Sequence, residues 1–211
     1  MLTHPTLEQL RRLRLNGMAD AYAEQTASPE TETLSFDERL GLLVDRERSD
    51  RESRQLSNRL RKARLRQQAT IVDIDYSAAR GIEKTVIRAL ARCRYIEHHE
   101  NVIIVGATGT GKTYLACALA HKACLEGYTA RYERLSRLLE SIRMARADGT
   151  YPKFVAALAK ISVLLLDDFG PFPIVGSGRN DLLDILEDRS GTRSTIITSQ
   201  LPVAEWHGAI G

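Results

Sequence analysis

The stretch GATGTGKT, residues 106–113, constrains the fold more than any other part of this chain. It lies between an apolar run, NVIIV, and a helix-forming run, YLACALAHKA, and it fits the phosphate-binding loop pattern Gly-x-x-x-x-Gly-Lys-[Ser/Thr]. Glycines adopt positive φ at little cost, so the backbone can curl and point its N–H groups at an anion before the helix begins. A chance glycine turn is the alternative, but it leaves the lysine, the hydroxyl and the strand–loop–helix context unexplained.

Each residue type in this loop predicts a contact with a nucleotide. Gly106, Gly109 and Gly111 are expected to supply the positive-φ positions. Lys112 should reach the β- and γ-phosphates, which makes it a catalytic candidate, and the hydroxyl of Thr113 should ligate Mg²⁺. The predicted nucleotide-binding residues are Gly106, Ala107, Thr108, Gly109, Thr110, Gly111, Lys112 and Thr113.

From Asn101 onward, predicted strands and helices alternate. The runs VIIV, TARYE, ISVLLL and STIIT have the character of strands, and helical patterns separate them. Such alternation is typical of an α/β fold with a parallel sheet sandwiched by helices. We therefore predict a small helical region over residues 1–95 that binds DNA or a partner, followed by a nucleotide-binding core over residues 96–211.

Two carboxylates end the most apolar of these strands, in VLLLDDFG. The carboxyl end of a buried parallel strand lies at the ligand edge of the sheet. We expect Asp167 to hold Mg²⁺ opposite Thr113, and Asp168 to orient and deprotonate an attacking water. A solvated turn after the strand is the alternative.

The same residues raise the question of which base is bound. DDFG also fits Asp-x-x-Gly, a magnesium-contacting pattern of GTPases, which read guanine with a later Asn-Lys-x-Asp element. None of the lysines after Thr113 follows an asparagine, so ATP is favoured over GTP. In the next strand, TSQLP brings Gln200, or less strongly Ser199, to the γ-phosphate as a candidate catalytic sensor.

The first hundred residues are predicted to be helical. Thr6 and Gln9 fit a capping box that opens a helix over LEQLRRLRLNGMADAYAEQ, and residues 26–33 have the composition of a linker. Ser35 and Glu38 fit a second box, whose helix is expected to continue to about Arg66. A further helix should lead from about residue 80 into the core.

The densest basic stretch is RESRQLSNRLRKARLR, residues 51–66. A basic helix can follow phosphates, and because the stretch has no aromatic residue for base stacking, any contact should tolerate different sequences. The alternative is a solvated helix face. The candidates for contact with double-stranded DNA are Arg59, Arg61, Lys62, Arg64 and Arg66.

Composition narrows the setting of the protein. The 211 residues carry a formal net charge of +3, which does not by itself indicate a partner. Cys93, Cys117 and Cys124 have no metal-binding spacing, and so few cysteines suit a reducing cytoplasm. The N-terminus lacks the apolar core of a signal peptide, and no apolar run approaches the ~18 residues of a membrane span. We expect a cytoplasmic protein without a membrane partner.

With these elements assigned, the chain resembles the IstB-like, DnaC-like branch of the AAA+ ATPases, and in particular the transposition helper ATPases of bacterial insertion sequences. The resemblance rests on LRLNGMADAY, NVIIVGATGTGKTYLACALAHKA, LLLDDFG and LLDILEDRSGTRSTIITSQLPVAEWH. It implies a protein that binds ATP and Mg²⁺, assembles with copies of itself on DNA and works beside a transposase. It also implies that residues 106–113 are Walker A, that Asp167 and Asp168 are Walker B, and that Gln200 is sensor 1.

The sequence departs from this family at its C-terminus. Family members continue beyond the point matching Gly211 with another strand, a trans-acting arginine and a small helical lid. An arginine finger is typically worth ~10³-fold or more in phosphoryl transfer, so efficient ATP hydrolysis is not expected without one. The missing strand also implies that VIIV lies at an exposed edge of the sheet.

Three other functions stay open at this point. A DnaC-type helicase loader would bind a helicase through its N-terminal region instead of a transposase. A truncated remnant would bind nucleotide with little hydrolysis. A small-molecule kinase would need an arginine-rich lid and acceptor-binding residues, and the sequence has no evident candidate for either.

Overall fold

The computed structural model describes residues 4–77, 81–170, 178–206 and 208. The chain divides into two compact units, Met1–Asn58 and Arg59–Gly211. Residues 59–95, which the sequence assigned to the N-terminal region, are therefore counted with the second unit. Among the described residues, no helix combines the length and the apolar character that a bilayer span requires.

The first unit is helical. It contains α1 (Pro5–Arg12), α2 (Asn16–Ala27), a 3₁₀ helix (Pro29–Thr33) within the expected linker, and the larger part of α3 (Phe36–Ala63). The prediction of one continuous helix from Leu7 was wrong, because the chain breaks at Arg14, whose φ is 60°. The capping box at Thr6 was also wrong, since His4 caps α1 and its Nδ1 accepts from the Thr6 N–H at 3.3 Å.

The second predicted capping box is confirmed at the start of α3. The Ser35 N–H and hydroxyl each donate to Glu38 at 2.8 Å, and the Glu38 N–H donates back to the Ser35 hydroxyl at 3.3 Å. This reciprocal arrangement satisfies N–H groups that have no partner within the helix.

Gly17 allows the backbones of α2 and α3 to approach closely. A Cβ on this glycine would lie 2.8 Å from Cα of Glu47 and 2.9 Å from the carbonyl oxygen of Arg46, closer than real side chains come. The buried carboxylate of Glu47 accepts from the Met18 N–H at 3.2 Å and from Arg51 Nε at 2.6 Å. The glycine in LRLNGMADAY therefore has a packing role.

The second unit contains a four-stranded parallel sheet in the order β1-β4-β3-β2. The strands are β1 (Val102–Val105), β2 (Ala130–Arg134), β3 (Val163–Phe169) and β4 (Ser194–Ser199). The helices are α4 (Lys84–Leu90), α5 (Arg94–Glu97), α6 (Lys112–Leu125), α7 (Leu135–Ala147), α8 (Tyr151–Ala159) and α9 (Gly178–Arg189). The predicted helix before β1 is interrupted at Cys93, whose φ is 59°.

The core lies on both faces of β3 and β4. Leu164, Leu166 and Ile197 form one apolar cluster with α7, α8 and α9. Because side chains alternate between faces, Val163, Leu165 and Ile196 point to the opposite side, where the apolar helix α6 contacts all four strands. The predicted parallel sheet sandwiched by helices is confirmed.

β1 is an edge strand of this sheet. It pairs with β4, with Val102 opposite Ile196, and two of its side chains, Ile103 and Val105, are each 43% exposed. The position of β1 agrees with the expectation that VIIV lies at an exposed edge of the sheet.

Candidate functional site

The loop between β1 and α6 has the backbone that its glycines predict, with one difference. Gly109 has a φ of 82° and Gly111 a φ of 91°, both in the left-handed region. Gly106 is not in that region, contrary to expectation. A Cβ at this position would lie 3.1 Å from the hydroxyl of Thr110, so a larger residue would require the Thr110 side chain to shift.

Two side chains of this loop are held by neighbouring oxygens. Lys112 Nζ donates to the carbonyl oxygen of Ala107 at 2.8 Å, across the mouth of the loop. The hydroxyl of Thr108 donates to Oε1 of Gln200 at 2.8 Å. Gln200 is exposed just after β4, so this residue lies beside the loop, where a group that contacts the γ-phosphate would need to be.

Asp167 is the most heavily contacted side chain of the site and is inaccessible to solvent. Its Oδ1 accepts from Thr113 at 2.9 Å and from Thr198 at 2.6 Å. Its Oδ2 accepts from Tyr132 at 2.7 Å and lies 3.6 Å from Nη1 of Arg66. The carboxylate is therefore fixed by three hydroxyl donors and faces a guanidinium.

Asp168 has an unusual backbone. Its φ is 59°, and the pairing between β3 and β4 shifts register between Leu166 and Phe169. Its N–H donates to the hydroxyl of Thr198 at 3.1 Å, and its Oδ2 lies 2.8 Å from Nε of Arg134. A non-glycine residue in this region stores strain, which is often found at functional sites.

The protonation of the neighbouring groups follows from their surroundings. Burial raises the pKa of Tyr132, and its hydrogen bond to Asp167 raises it further, so the phenol stays protonated and donates. Contact with Tyr132 raises the pKa of Arg66, and the charges of Asp167 and Asp168 add to this effect. Arg66 is therefore a permanent positive charge at the site.

The oxygens around Thr113 and Asp167 suit a magnesium ion. A hydroxyl and a carboxylate are hard oxygen ligands, and Mg²⁺ usually takes only one or two protein ligands together with water and substrate phosphates. Within the described ranges, no group of three or more His, Cys, Asp or Glu side chains could hold a metal by itself.

A cavity of about 260 Å³ adjoins the loop. It is lined by the apolar residues Ile74, Ile82 and Leu115, by Tyr114, Asp73 and Asp75, and by Thr110 and Gly111 of the loop. A cavity with both apolar and polar lining residues beside the loop is a candidate site for a small-molecule ligand. The sequence did not identify this segment, because it carries no recognised motif.

The five predicted DNA-contact residues are not equivalent in the structure. Arg59 Nε donates to the carbonyl oxygen of Cys124 at 2.9 Å, and Arg66 faces Asp167. Arg61 and Lys62 are exposed near the end of α3, and Arg64 follows it with a φ of 51°. Contact of these residues with DNA remains a prediction.

Sequence reasoning missed three residues that contact the two acids: Tyr132, Arg134 and Thr198. Tyr132 and Arg134 lie on β2, with Arg134 opposite Asp167 in the strand register. Thr198 lies on β4, one position before the suggested Ser199, whose hydroxyl instead donates to the carbonyl oxygen of Phe169 at 2.8 Å. The β3–β4 register would have identified Thr198.

Three features of the site and fold are now established. The glycine-rich loop leads into α6, Asp167 is buried opposite Thr113, and the strands of the parallel sheet run in the order β1-β4-β3-β2. The family model described as IstB-like ATP binding protein matches residues 8–211. The chain belongs to this family. The resemblance read from the sequence is thereby confirmed.

Relatives within the IstB-like family match along the chain. The protein y4pL of Sinorhizobium fredii, named as an insertion sequence ATP-binding protein, is 47% identical over 211 residues, which cover 100% of this chain and 86% of that protein. An ATP-binding protein of insertion sequence IS1162 from Pseudomonas fluorescens is 46% identical over 203 residues, 96% of this chain and 88% of that one.

Several solved structures have a fold similar to that of this IstB-like chain. The crystal structure of the DnaC helicase loader aligns with a TM-score of 0.61 and 22% identity, covering 68% of this chain and 87% of that chain. AMPPCP-bound DnaA from Aquifex aeolicus aligns with a TM-score of 0.60 and 19% identity, covering 68% of this chain and 45% of the DnaA chain. At such low identity these matches show only that the fold is shared.

Proposed function

We propose that this IstB-like protein binds ATP with Mg²⁺ and uses the bound nucleotide to assist the transposition of an insertion sequence. The observation that carries the proposal is the 2.9 Å contact between Thr113 and Asp167, which joins the phosphate loop to the acidic strand. Membership of the IstB-like ATP binding family supports the nucleotide, and relatives named for insertion sequences support the process.

Phosphate binding would use the backbone of residues 106–111, the start of α6 and the side chain of Lys112. The ammonium group now donates to the Ala107 carbonyl oxygen, so it needs only to exchange that neutral acceptor for phosphate oxygens. A charge-assisted hydrogen bond to an anion is stronger than one to a carbonyl, which favours the exchange. The cavity lined by Ile74, Ile82 and Tyr114 would receive the base.

The metal would be held between the hydroxyl of Thr113 and the carboxylate of Asp167. When bound, Mg²⁺ neutralises charge on the phosphates and orients them for attack. The hydroxyls of Thr198 and Tyr132 keep the carboxylate in one orientation, so little reorganisation is needed before the metal–nucleotide complex is bound.

Hydrolysis of ATP to ADP and phosphate would use Asp168 to accept a proton from the attacking water. In the structure Oδ2 of Asp168 is paired with Arg134, so the chain alone should turn over slowly. Gln200, which shares a hydrogen bond with Thr108, is the candidate that responds to the γ-phosphate.

The proposed partners are double-stranded DNA, a transposase and further copies of this chain. For DNA, Arg61, Lys62 and Arg64 are the candidates considered, because they are exposed and, unlike Arg66, do not face Asp167. Neutralising phosphates with such side chains would make binding strongly dependent on salt.

The proposal is tested by ATP affinity and oligomer size, measured with and without Mg²⁺ and duplex DNA, for the wild-type chain and for Lys112→Ala. We expect magnesium-dependent ATP binding, larger assemblies with DNA, and loss of most ATP affinity in the variant. Pull-down of a transposase would support the role in transposition, and pull-down of a replicative helicase instead would contradict it. Absence of ATP binding by the wild-type chain would overturn the proposal as a whole.

A further inference from the structure

The segment after α3 brings a positive charge to the candidate metal site. Nη1 of Arg66 lies 3.6 Å from Oδ2 of Asp167, a carboxylate that is inaccessible to solvent. Half of the Arg66 side chain is exposed, so the guanidinium reaches the acid from the solvent side. A cation therefore already faces the carboxylate that the proposed function assigns to Mg²⁺.

The backbone of this segment is anchored, which keeps the guanidinium near the site. Arg64 adopts a φ of 51° and turns the chain at the end of α3. Burial raises the pKa of the Cys117 thiol on α6, the helix that begins at the phosphate loop, and the nearby backbone N–H groups of Gln67 and Arg66 partly oppose that rise, which is consistent with this segment lying beside α6. The side chain can move into solvent, while its Cα remains beside α6.

The role of Arg66 differs from that of the other groups on Asp167. Thr113, Thr198 and Tyr132 donate from neutral hydroxyls at 2.6–2.9 Å, which is enough to fix the carboxylate. At 3.6 Å, Arg66 adds little to its orientation but contributes a full charge. Its effect is therefore electrostatic: it balances the buried carboxylate and repels a second cation.

We propose that Arg66 is a built-in counter-cation of Asp167 that competes with Mg²⁺, so that magnesium–nucleotide binding displaces its guanidinium from the carboxylate. This inference rests on the proposed function, since it concerns the same metal site. Arg66 acts through Asp167 and not on the nucleotide itself. The charge of Arg66 raises the Mg²⁺ concentration needed to form the magnesium–nucleotide complex. It also couples the position of the segment after α3 to whether the site holds Mg²⁺ and nucleotide.

Two models of Arg66, competition with Mg²⁺ and orientation of Asp167, predict opposite changes in Mg²⁺ affinity when Arg66 is replaced by a neutral residue. If Arg66 competes, a neutral side chain removes a repulsion and Mg²⁺ should bind more tightly. If Arg66 only orients Asp167, the same change should weaken the binding of Mg²⁺. Thr198→Val removes a hydrogen bond that orients Asp167 without changing charge and without removing the contact between Tyr132 and Arg66, so it should weaken Mg²⁺ binding under either model.

The experiment titrates Mg²⁺ into the full chain at a fixed concentration of a fluorescent ATP analogue and measures the half-saturating Mg²⁺ concentration. Arg66→Gln should lower this concentration about threefold or more, as expected for loss of a partly exposed charge. Arg66→Lys keeps the charge and should restore a value close to the wild type. Arg64→Gln is the matched control, because it removes a charge two residues away that is not among the described partners of Asp167, and it should change the value much less.

Circular dichroism verifies that each variant is folded, and Arg66→Met is the second neutral variant should Arg66→Gln not fold. An unchanged or higher Mg²⁺ requirement in the neutral variants, with normal ATP binding by the wild type, overturns this inference and leaves the proposed function intact. An equal decrease of the half-saturating Mg²⁺ concentration in Arg64→Gln also overturns it, because the effect would then come from the net charge of the region and not from the contact between Arg66 and Asp167. Failure of the wild-type chain to bind the analogue with Mg²⁺ overturns both.

Discussion

The hydroxyl of Thr198 donates to Oδ1 of Asp167 at 2.6 Å, and both side chains are excluded from solvent. The same hydroxyl oxygen accepts from the Asp168 N–H at 3.1 Å. One threonine on β4 therefore fixes a candidate metal ligand and, through the backbone, the candidate proton acceptor that follows it.

Thr198→Val tests how much this threonine contributes. Valine has nearly the same shape but leaves a buried carboxylate oxygen and a backbone N–H each without one partner, so the free energy of unfolding should fall by about 1–3 kcal/mol. Urea denaturation in the absence of Mg²⁺ measures the change. The exposed Thr192→Val should alter stability by less than about 0.5 kcal/mol, and equal losses in the two variants would contradict the assignment.

Arg134→Gln tests whether the ion pair keeps Asp168 from accepting a proton. Removal of the guanidinium from Oδ2 frees the carboxylate, and ATP turnover without DNA should rise about two- to fivefold, the range expected for a partly exposed pair. Steady-state phosphate release measures the change. Arg131→Gln breaks a pair with Glu133 on the same strand and should leave turnover unchanged, and a rise in that variant as well would rule out a specific effect.

Two glycines of the first unit should respond to alanine in opposite ways. Gly17→Ala forces a methyl group against the α3 backbone at Glu47 and should lower the melting temperature. Gly41 lies within α3 with nothing within 4 Å of its Cβ, so Gly41→Ala should stabilise the protein by up to about 1 kcal/mol through helix propensity. Thermal unfolding followed by circular dichroism compares them, and equal shifts would show that the α2–α3 approach is not tight.

Arg189 should be essential for stability although it lies far from the proposed chemistry. It is almost fully buried, and it donates to the carbonyl oxygens of Leu158, Ile161 and Ser194 and to the hydroxyl of Thr195 at 2.6–3.2 Å. Burial, with a smaller effect of Arg193, lowers the pKa of Arg189 to about 10.

Arg189→Met should lower the free energy of unfolding by about 3 kcal/mol or more, because several buried acceptors lose their donor at once. Arg189→Lys should rescue little, since an ammonium cannot span the same acceptors. Chemical denaturation gives both values, and Arg193→Gln provides the neighbouring control. A loss of under about 1 kcal/mol in Arg189→Met would show that water replaces the guanidinium.

The parts of the site that the sequence predicted are those with local signals. The loop of residues 106–113 and the acids after β3 follow from spacing and from position at a strand end. Tyr132 and Thr198 reach Asp167 only through the register of neighbouring strands, which depends on long-range pairing. Arg66 depends on the path of a segment that has no regular structure and no motif.

The errors in the helices have a common physical basis. Arg14 and Cys93 interrupt predicted helices with positive φ values, yet neither is a glycine or an asparagine, the residues that usually indicate such a turn. The burial of Arg189 has no signal in the sequence, because arginine is rarely buried without a charged partner. Its partners are instead carbonyl and hydroxyl oxygens at the ends of helices and strands.

The strand order has a consequence for synthesis on the ribosome. β1 pairs with β4, which lies about 90 residues later in the chain, so the strand that precedes the nucleotide loop has no partner on that side until Ile196 and its flanking residues have left the exit tunnel. Pairing between strands distant in sequence is slow, and unpaired apolar strands invite aggregation in the meantime. The nascent chain can therefore acquire nucleotide affinity only after β4 has emerged and paired with β1, and we expect its yield in cells to depend on chaperones that bind extended apolar segments.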